Sequence, residues 1–282
     1  MAEKKRKKIK KTGGRKITSA RRSSSRNKRG HSSHWLIYII AALLASLIIA
    51  WAYYVLFRPY FYRFRPCYGH KHFEICMPLG HSVYGIDVSR HQGKIDWEKM
   101  KRESAETTPV SFAYIKATEG SDFTDKNFET NFGEAAKQGI IRGAYHYFKT
   151  QSTGQAQAEM FIKTVKLKKG DLPPMVDVEE RPKDVKRFIQ ELKIFIAKIE
   201  GHYGVKPVIY SYKKFKQRYL NDAYFDKYPS WVAHYYVPYL DEDIEWLIWQ
   251  CSDIGTVPGI EENVDINIFN GNIEQLKSLL IK

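Results

Sequence analysis

The sequence predicts an α/β fold: an irregular (β/α) TIM-like barrel preceded by a single transmembrane helix. Three observations carry this. Eight apolar runs of strand length follow one another from residue 83 onward, with helical patterns between the early ones, the order expected of a parallel sheet with crossover helices. Acidic residues recur at the ends of these runs, where a barrel collects its functional groups. Ahead of them stand twenty-three consecutive residues without a charge, Trp35 to Phe57, long enough to cross a bilayer core.

The chain divides by composition. Residues 1–34 hold fourteen Lys or Arg and one acidic residue, Glu3, while the other 248 residues carry 32 basic and 30 acidic side chains. The net charge of +15 therefore describes a tail and not the domain. The tail has no aromatic residue or fold-like period beside its charge, so it is expected to be a disordered cytoplasmic segment, with no nucleic-acid partner. Residues 35–57 form the predicted membrane helix, with Trp35, Tyr38, Trp51, Tyr53 and Tyr54 towards its ends, where amphipathic rings prefer the interface. A cleaved signal peptide would have a shorter apolar region ending in small residues. Here the bulky run YYVLFRPYFY follows, so a retained anchor is expected. Basic residues resist translocation. The prediction is thus a single-pass membrane protein, N-terminus inside, with its main domain periplasmic or extracellular.

Residues 58–82 read as a linker, with Cys67 and Cys76 spaced for one small bridge. Residues 83–282 read as the barrel domain. Its strand runs are VYGIDVS, SFAYIKA, IRGAYHYF, PPMVDVE, KPVIYSY, SWVAHYY, WLIWQCS and VDINIF. A helix from Asn127 to Gln138 places Phe128, Phe132 and Ala135 on one face, with Gly139 as its stop. A second, Asp184 to His202, places Val185, Phe188, Leu192, Phe195, Ile196 and Ile199 at helical spacing. The last links are too short or too rich in Gly and Pro for crossover helices, so the barrel is expected to be complete at the front and irregular at the back. A doubly wound sheet is the alternative, but its Gly-rich phosphate fingerprint is absent from the sequence.

Asp177 and Glu179 are two residues apart on a strand and share a face, which leaves Val176 and Val178 to face the helices. Asp87 ends an earlier strand and Asp265 stands in the last. Carboxyl groups that crowd one another resist ionisation, so at least one is expected to stay protonated near neutral pH. Cleavage of a glycosidic bond requires such a proton donor. Four carboxylates with His146 or His91 could instead hold a hard cation, but no ligand spacing of a known kind accompanies them, and no metal or cofactor is predicted. Aromatic residues Tyr114, Tyr145, Tyr147, Tyr210, Tyr212, Trp231, Tyr235 and Trp249 lie in strand runs. Alternation selects Tyr145, Tyr210 and Trp231 as sugar contacts, with His146 and Gln250 left open between ligand and structural group. Cys251 reads as a buried thiol.

The ordered blocks YGIDVSRHQGKIDW, FAYIKATEGSDFTDKNF, GIIRGAYHYF, PPMVDVEE, KPVIYSY, SWVAHY and IWQCSD with VDINIFNG resemble glycoside hydrolase family 25, the muramidases of lysozyme type. The resemblance spans about residues 83–272. It implies a peptidoglycan hydrolase that cleaves the β-1,4 bond between N-acetylmuramic acid and N-acetylglucosamine with retention, assisted by the substrate's acetamido group. By position, Glu179 looks like the general acid/base, Asp177 its electrostatic partner, Asp87 and Asp265 the further acids of the site, and Gln250 a substrate contact with Tyr145, Tyr210 and Trp231. Cys251 departs from the bulkier residue more usual after the Gln. The expected partners are peptidoglycan glycan strands and, through one helix, the membrane; a monomer is expected. The alternative is a non-catalytic peptidoglycan-binding or scaffold protein of the envelope.

Overall fold

The computed structural model describes residues 34–57, 70–105 and 108–282. The tail through residue 33, the first part of the 58–82 stretch and Cys67 lie outside the described residues.

Helix α1, His34–Ala52, continues as a π-helical turn over Tyr53–Phe57. Within it, Trp35–Leu56 has a mean hydropathy of 2.4 and is long and apolar enough to cross a membrane. Its one hydroxyl in mid-span, Ser46, donates to the Leu43 carbonyl at 2.8 Å within the helix.

A separate compact unit begins at Ala52. Its strands are β1 His70–His72, β2 Ile75–Met77, β3 Tyr84–Val88, β4 Val110–Glu119, β5 Phe123–Thr124, β6 Ile141–Tyr147, β7 Met175–Asp177, β8 Val208–Tyr212, β9 Ser230–Ala233, β10 Ile248–Gly255 and β11 Val264–Phe269. Eight of these close into a barrel in the order β3, β4, β6, β7, β8, β9, β10, β11 and back to β3. All neighbours are parallel up to β10, and β11 runs antiparallel to both β10 and β3. The expected irregular barrel is thus an eight-stranded mixed one. The eight predicted runs are its eight strands.

Around it lie α2 Trp97–Ala105, α3 Phe128–Lys137, α4 Gly154–Thr164, α5 Val185–Tyr203, α6 Lys213–Tyr219, α7 Ala223–Asp226 and α8 Ile273–Ser278. Among the described residues no helix joins β9 to β10 or β10 to β11, which is the irregular back. Helix α5 starts where the Asp184 side chain accepts the Arg187 N–H and ends at Gly204, whose φ of 68° is left-handed, a stop that glycine adopts without steric cost. It buries Phe188, Leu192, Phe195, Ile196 and Ile199. Val185, expected on the same face, is exposed, because the first turn overhangs the core.

Alternation sorts each strand into two cores. Outward residues such as Ile86, Ile115, Val176 and Val178 pack with Phe188, Leu192 and Phe195 of α5 in one apolar layer. Inward residues Phe112, Tyr114, Tyr145, Met175, Tyr210 and Trp231 fill the barrel. Two glycines make that filling fit: a Cβ on Gly85 or on Gly143 would sit 2.4 Å from the ring of Phe112 or of Tyr114, respectively. No side chain larger than hydrogen leaves room for both rings.

The 58–82 stretch, expected as a linker, is part of the barrel's body from His70 on. Strands β1 and β2 pair as a hairpin with His72 opposite Ile75, and both intervening residues, Phe73 and Glu74, have positive φ. That is the two-residue turn whose twist suits a hairpin. Phe73 and Met77 are buried in the outer core, and the Thr256 N–H donates to the Phe73 carbonyl at 2.8 Å. Cys76 is disulfide-bonded, whereas Cys251 is a free, buried thiol. The Cys251 Sγ lies 3.4 Å from the Ile266 carbonyl, and burial pushes the thiol up to about 12.

Candidate active site

A cleft of about 490 Å³ is lined by Asp87, Asp177, Glu179 and Asp265, together with Tyr145, Tyr210 and Gln250. The structure therefore brings together seven of the eight residues singled out from the sequence. The eighth, Trp231, does not line the cleft. It is fully buried below it, edge-on to Tyr114 at 5.0 Å and to Tyr210 at 5.7 Å, with its indole N–H given to Asn267 at 3.1 Å. Alternation placed it correctly inside the barrel but says nothing about depth.

Strand β7 carries Met175 and Asp177 inward between β6 and β8. The chain stays in register beyond the strand's end, because the Val178 N–H donates to the Tyr210 carbonyl at 2.9 Å, so Glu179 returns to the same face. Burial raises the carboxyls of both Asp177 and Glu179, Asp177 well above its ordinary range, and each is held up further by its charged neighbours or down by its donors. For Asp177 the charge of Glu179 adds to the rise and Lys116 opposes it. For Glu179 the hydroxyls of Tyr212 and Tyr147 and the charge of Lys116 oppose it. One oxygen of Asp177, Oδ1, is buried without a hydrogen-bond partner among the described residues, an expensive state for an anion. Burial thus pulls both carboxyls towards the neutral form, Asp177 more strongly than Glu179.

Across the cleft, Asp87 and Asp265 are direct cross-strand partners of β3 and β11. Burial pushes Asp87 up to about 6, against the pull of amide donors on Asn267 and Gln250. Burial, then the charge of Asp87, push Asp265 up to about 9. Gln250 Nε2 and Asn267 Nδ2 each donate to Asp87 Oδ2 at 2.8 Å. Gln250 in turn accepts from the hydroxyls of Tyr210 at 2.7 Å and Tyr235 at 2.6 Å.

Four cleft residues, Lys116, Tyr147, Tyr212 and Tyr235, and the buried Asn267 behind Asp87 were not singled out by sequence reasoning. Lys116 is buried and pairs with Glu119 at 2.7 Å, and its ammonium lies 4.7 Å from the centre of the Tyr147 ring. The signal for most of them was present. Tyr147 follows Tyr145, Tyr212 follows Tyr210 and Asn267 follows Asp265 by two residues, the same spacing that joined Asp177 to Glu179.

His146 belongs to the other face. It is fully buried, stacked on Phe195 at 4.8 Å, and bonded to Thr118 at 2.7 Å and Gln157 at 3.1 Å. Burial lowers it to about 4, so it is a neutral structural ring and not a ligand beside the four carboxylates. No group of three or more His, Cys, Asp or Glu among the described residues is arranged to hold a metal ion.

A closed barrel whose mouth gathers four carboxyls with raised pKa values among tyrosines has the makeup of a glycosidase-type barrel. Residues 86–260 match the glycosyl hydrolases family 25, and the chain belongs to that family. It is similar to the uncharacterized protein YegX of Escherichia coli (strain K12), 40% identical over 223 residues that cover 78% of this chain and 80% of that one. It is 34% identical to Lysozyme M1 of Streptomyces globisporus over 213 residues, 70% of this chain and 71% of the other. Among solved structures, a family 25 glycosyl hydrolase from Bacillus anthracis superposes with a TM-score of 0.66 at 33% identity, covering 76% of this chain and 99% of that one.

Proposed function

We propose that the protein is a peptidoglycan hydrolase, an N-acetylmuramidase that cuts the β-1,4 bond between N-acetylmuramic acid and N-acetylglucosamine. The observation that carries this is the Asp177 and Glu179 pair, two inward carboxyls on one strand with raised pKa values. Membership of family 25 and likeness to proteins named lysozymes support the same substrate.

Glu179 is the general acid/base. It is the less buried of the two and lies under the hydroxyls of Tyr147 and Tyr212, so it can give its proton to the leaving oxygen and later draw one from water. Asp177 acts on the substrate's acetamido group. Its unpartnered Oδ1 is an acceptor suited to the amide N–H, and accepting it orients the acetamido oxygen towards the anomeric carbon. The acetamido group then serves as internal nucleophile and configuration is retained, a route that needs no second carboxylate at nucleophile distance. Positive charge that builds on the sugar favours the ionised form of Asp177. Tyr145 and Tyr210 offer ring and hydroxyl contacts to the sugars.

Helix α1, with its apolar length, serves in this reading as a retained anchor that leaves the barrel outside the cytoplasm. The test uses the full chain in detergent with purified peptidoglycan. Release of reducing ends, lost in Glu179→Gln, is the expected result. Tight binding with no cleavage by the wild type would instead mark a wall-binding scaffold, and a C-terminal barrel fragment recovered free of membranes would mark cleavage of the anchor.

A further inference from the structure

Asp87 and Asp265 sit directly opposite each other on antiparallel neighbours β3 and β11. Like charges in that position repel strongly on one face of a sheet, and here both side chains enter the cleft. One proton shared between them removes the repulsion. Which member holds it is decided by the groups around Asp87.

The indole N–H of Trp231 is a donor only, so the atom of Asn267 it meets at 3.1 Å is the amide oxygen. The Asn267 amide nitrogen must then point the other way, to Asp87 Oδ2 at 2.8 Å. Gln250 is turned in the same sense by two phenol hydroxyls on its oxygen, from Tyr210 and Tyr235, and its nitrogen also meets Asp87 Oδ2. Two N–H donors converge on one oxygen of Asp87. Donors to a carboxyl favour its charged form, so this pair of N–H groups favours the anion on Asp87 and leaves Asp265, with which Asp87 is hydrogen-bonded, to carry the proton between them.

We infer that Asp87 and Asp265 work as a single-proton dyad in which Asp265 is the neutral acid and Asp87 the anion, and that Gln250 and Asn267 are positioning residues that fix this polarity. The inference rests on the proposed hydrolysis for its consequence: one fixed negative charge, and not two, stands across the cleft from Asp177 and Glu179. That charge favours the cationic sugar of the transition state without holding the general acid permanently protonated. The other titratable and charged groups facing the dyad or its cleft are His91 after β3, Lys116 from β4, Tyr145 and Tyr147 from β6, Asp177 and Glu179 from β7 and just beyond it, Tyr210 and Tyr212 from β8, Tyr235 after β9, and Asp253 from β10. The Asp253 side chain adds to the pressure that keeps Asp265 neutral.

The test is infrared spectroscopy of the full chain in detergent at pH 7, read in the carbonyl band of protonated carboxyl groups. Asp265→Asn is expected to remove one component of that band, while Asp87→Asn leaves that component present and shifted. The reverse pattern, or no change in either variant, overturns the assignment. Kinetics give a second arm. Gln250→Met and Asn267→Leu withdraw donors from the Asp87 carboxylate, which makes it harder to ionise, so the acid limb of kcat/KM moves to higher pH by about one unit. A rate loss in both variants with that limb unmoved would show merely structural roles and overturn the positioning claim. The infrared result does not depend on turnover. An inactive wild type with the expected band pattern would sink the proposed function and leave the dyad standing; hydrolysis with the wrong pattern would do the opposite.

Discussion

The two faces of the barrel sheet differ more than any two regions of the sequence, although their residues alternate along the same strands. On β6, Tyr145 opens into the cleft while His146, one residue on, is locked between Thr118, Gln157 and Phe195. On β7 and just beyond it, Val176 and Val178 are buried against α5, while Asp177 and Glu179 meet the cleft. Outward positions hold the fold together through apolar burial. Inward positions change character with depth, from packed rings at the floor to carboxyls and hydroxyls at the mouth. A burial pattern alone does not tell these faces apart, since Asp177 and Val176 are both buried. What separates them is whether burial is satisfied.

Substitutions on the two faces should therefore fail in different ways. The largest effect is expected for Glu179→Gln, which should lower kcat by ~10³-fold, about 4 kcal/mol, with an unchanged melting temperature; a matching loss of stability would show that the inner face also holds the fold. On the outer face, Phe195→Ala should cost ~3–5 kcal/mol in denaturant unfolding by opening a cavity beside His146, while molecules that remain folded keep their turnover. Between these faces, Gly143→Ala drives a methyl group into the Tyr114 ring and should cost ~1–3 kcal/mol, measurable as a lower midpoint in urea. Asp265 should also make stability fall as pH rises towards about 9, because the folded state binds a proton there that the unfolded chain has released, with neutral His146 opposing that slope between about 4 and 6.5. Asp265→Asn should flatten that slope, and a thermal melt series across this range checks it. Smallest of all, Val185→Ala on the exposed first turn of α5 should change stability by no more than ~0.5 kcal/mol.

Much of this was legible in the residues. The eight strands were readable because each is a short apolar run bounded by polar or glycine-rich links. Helices α3 and α5 were readable because their buried residues recur at helical spacing. The acids were readable because residues two apart on a strand share a face. The hairpin β1 and β2 was not, because three-residue strands such as His70–His72 carry too little pattern, and their packing is set by Phe73 and Met77 reaching a core built elsewhere. Trp231 was misplaced in depth because strand stagger around a closed barrel, which sets the level each residue occupies, is a property of the pairing and not of one strand. Asn267 shares the face of Asp265 by spacing, but its use there is set by Trp231 and Asp87, distant in sequence.

The ring layer under the cleft also governs the movement of a polymer. Tyr114 and Trp231, made to fit by Gly143, plug the barrel, so no chain can thread along its axis. In the proposed hydrolysis, a glycan strand would have to arrive and leave on the same side, lying across the mouth like a rope over a capstan. Cutting a strand at such a site frees two ends at one place without requiring either end to be found first.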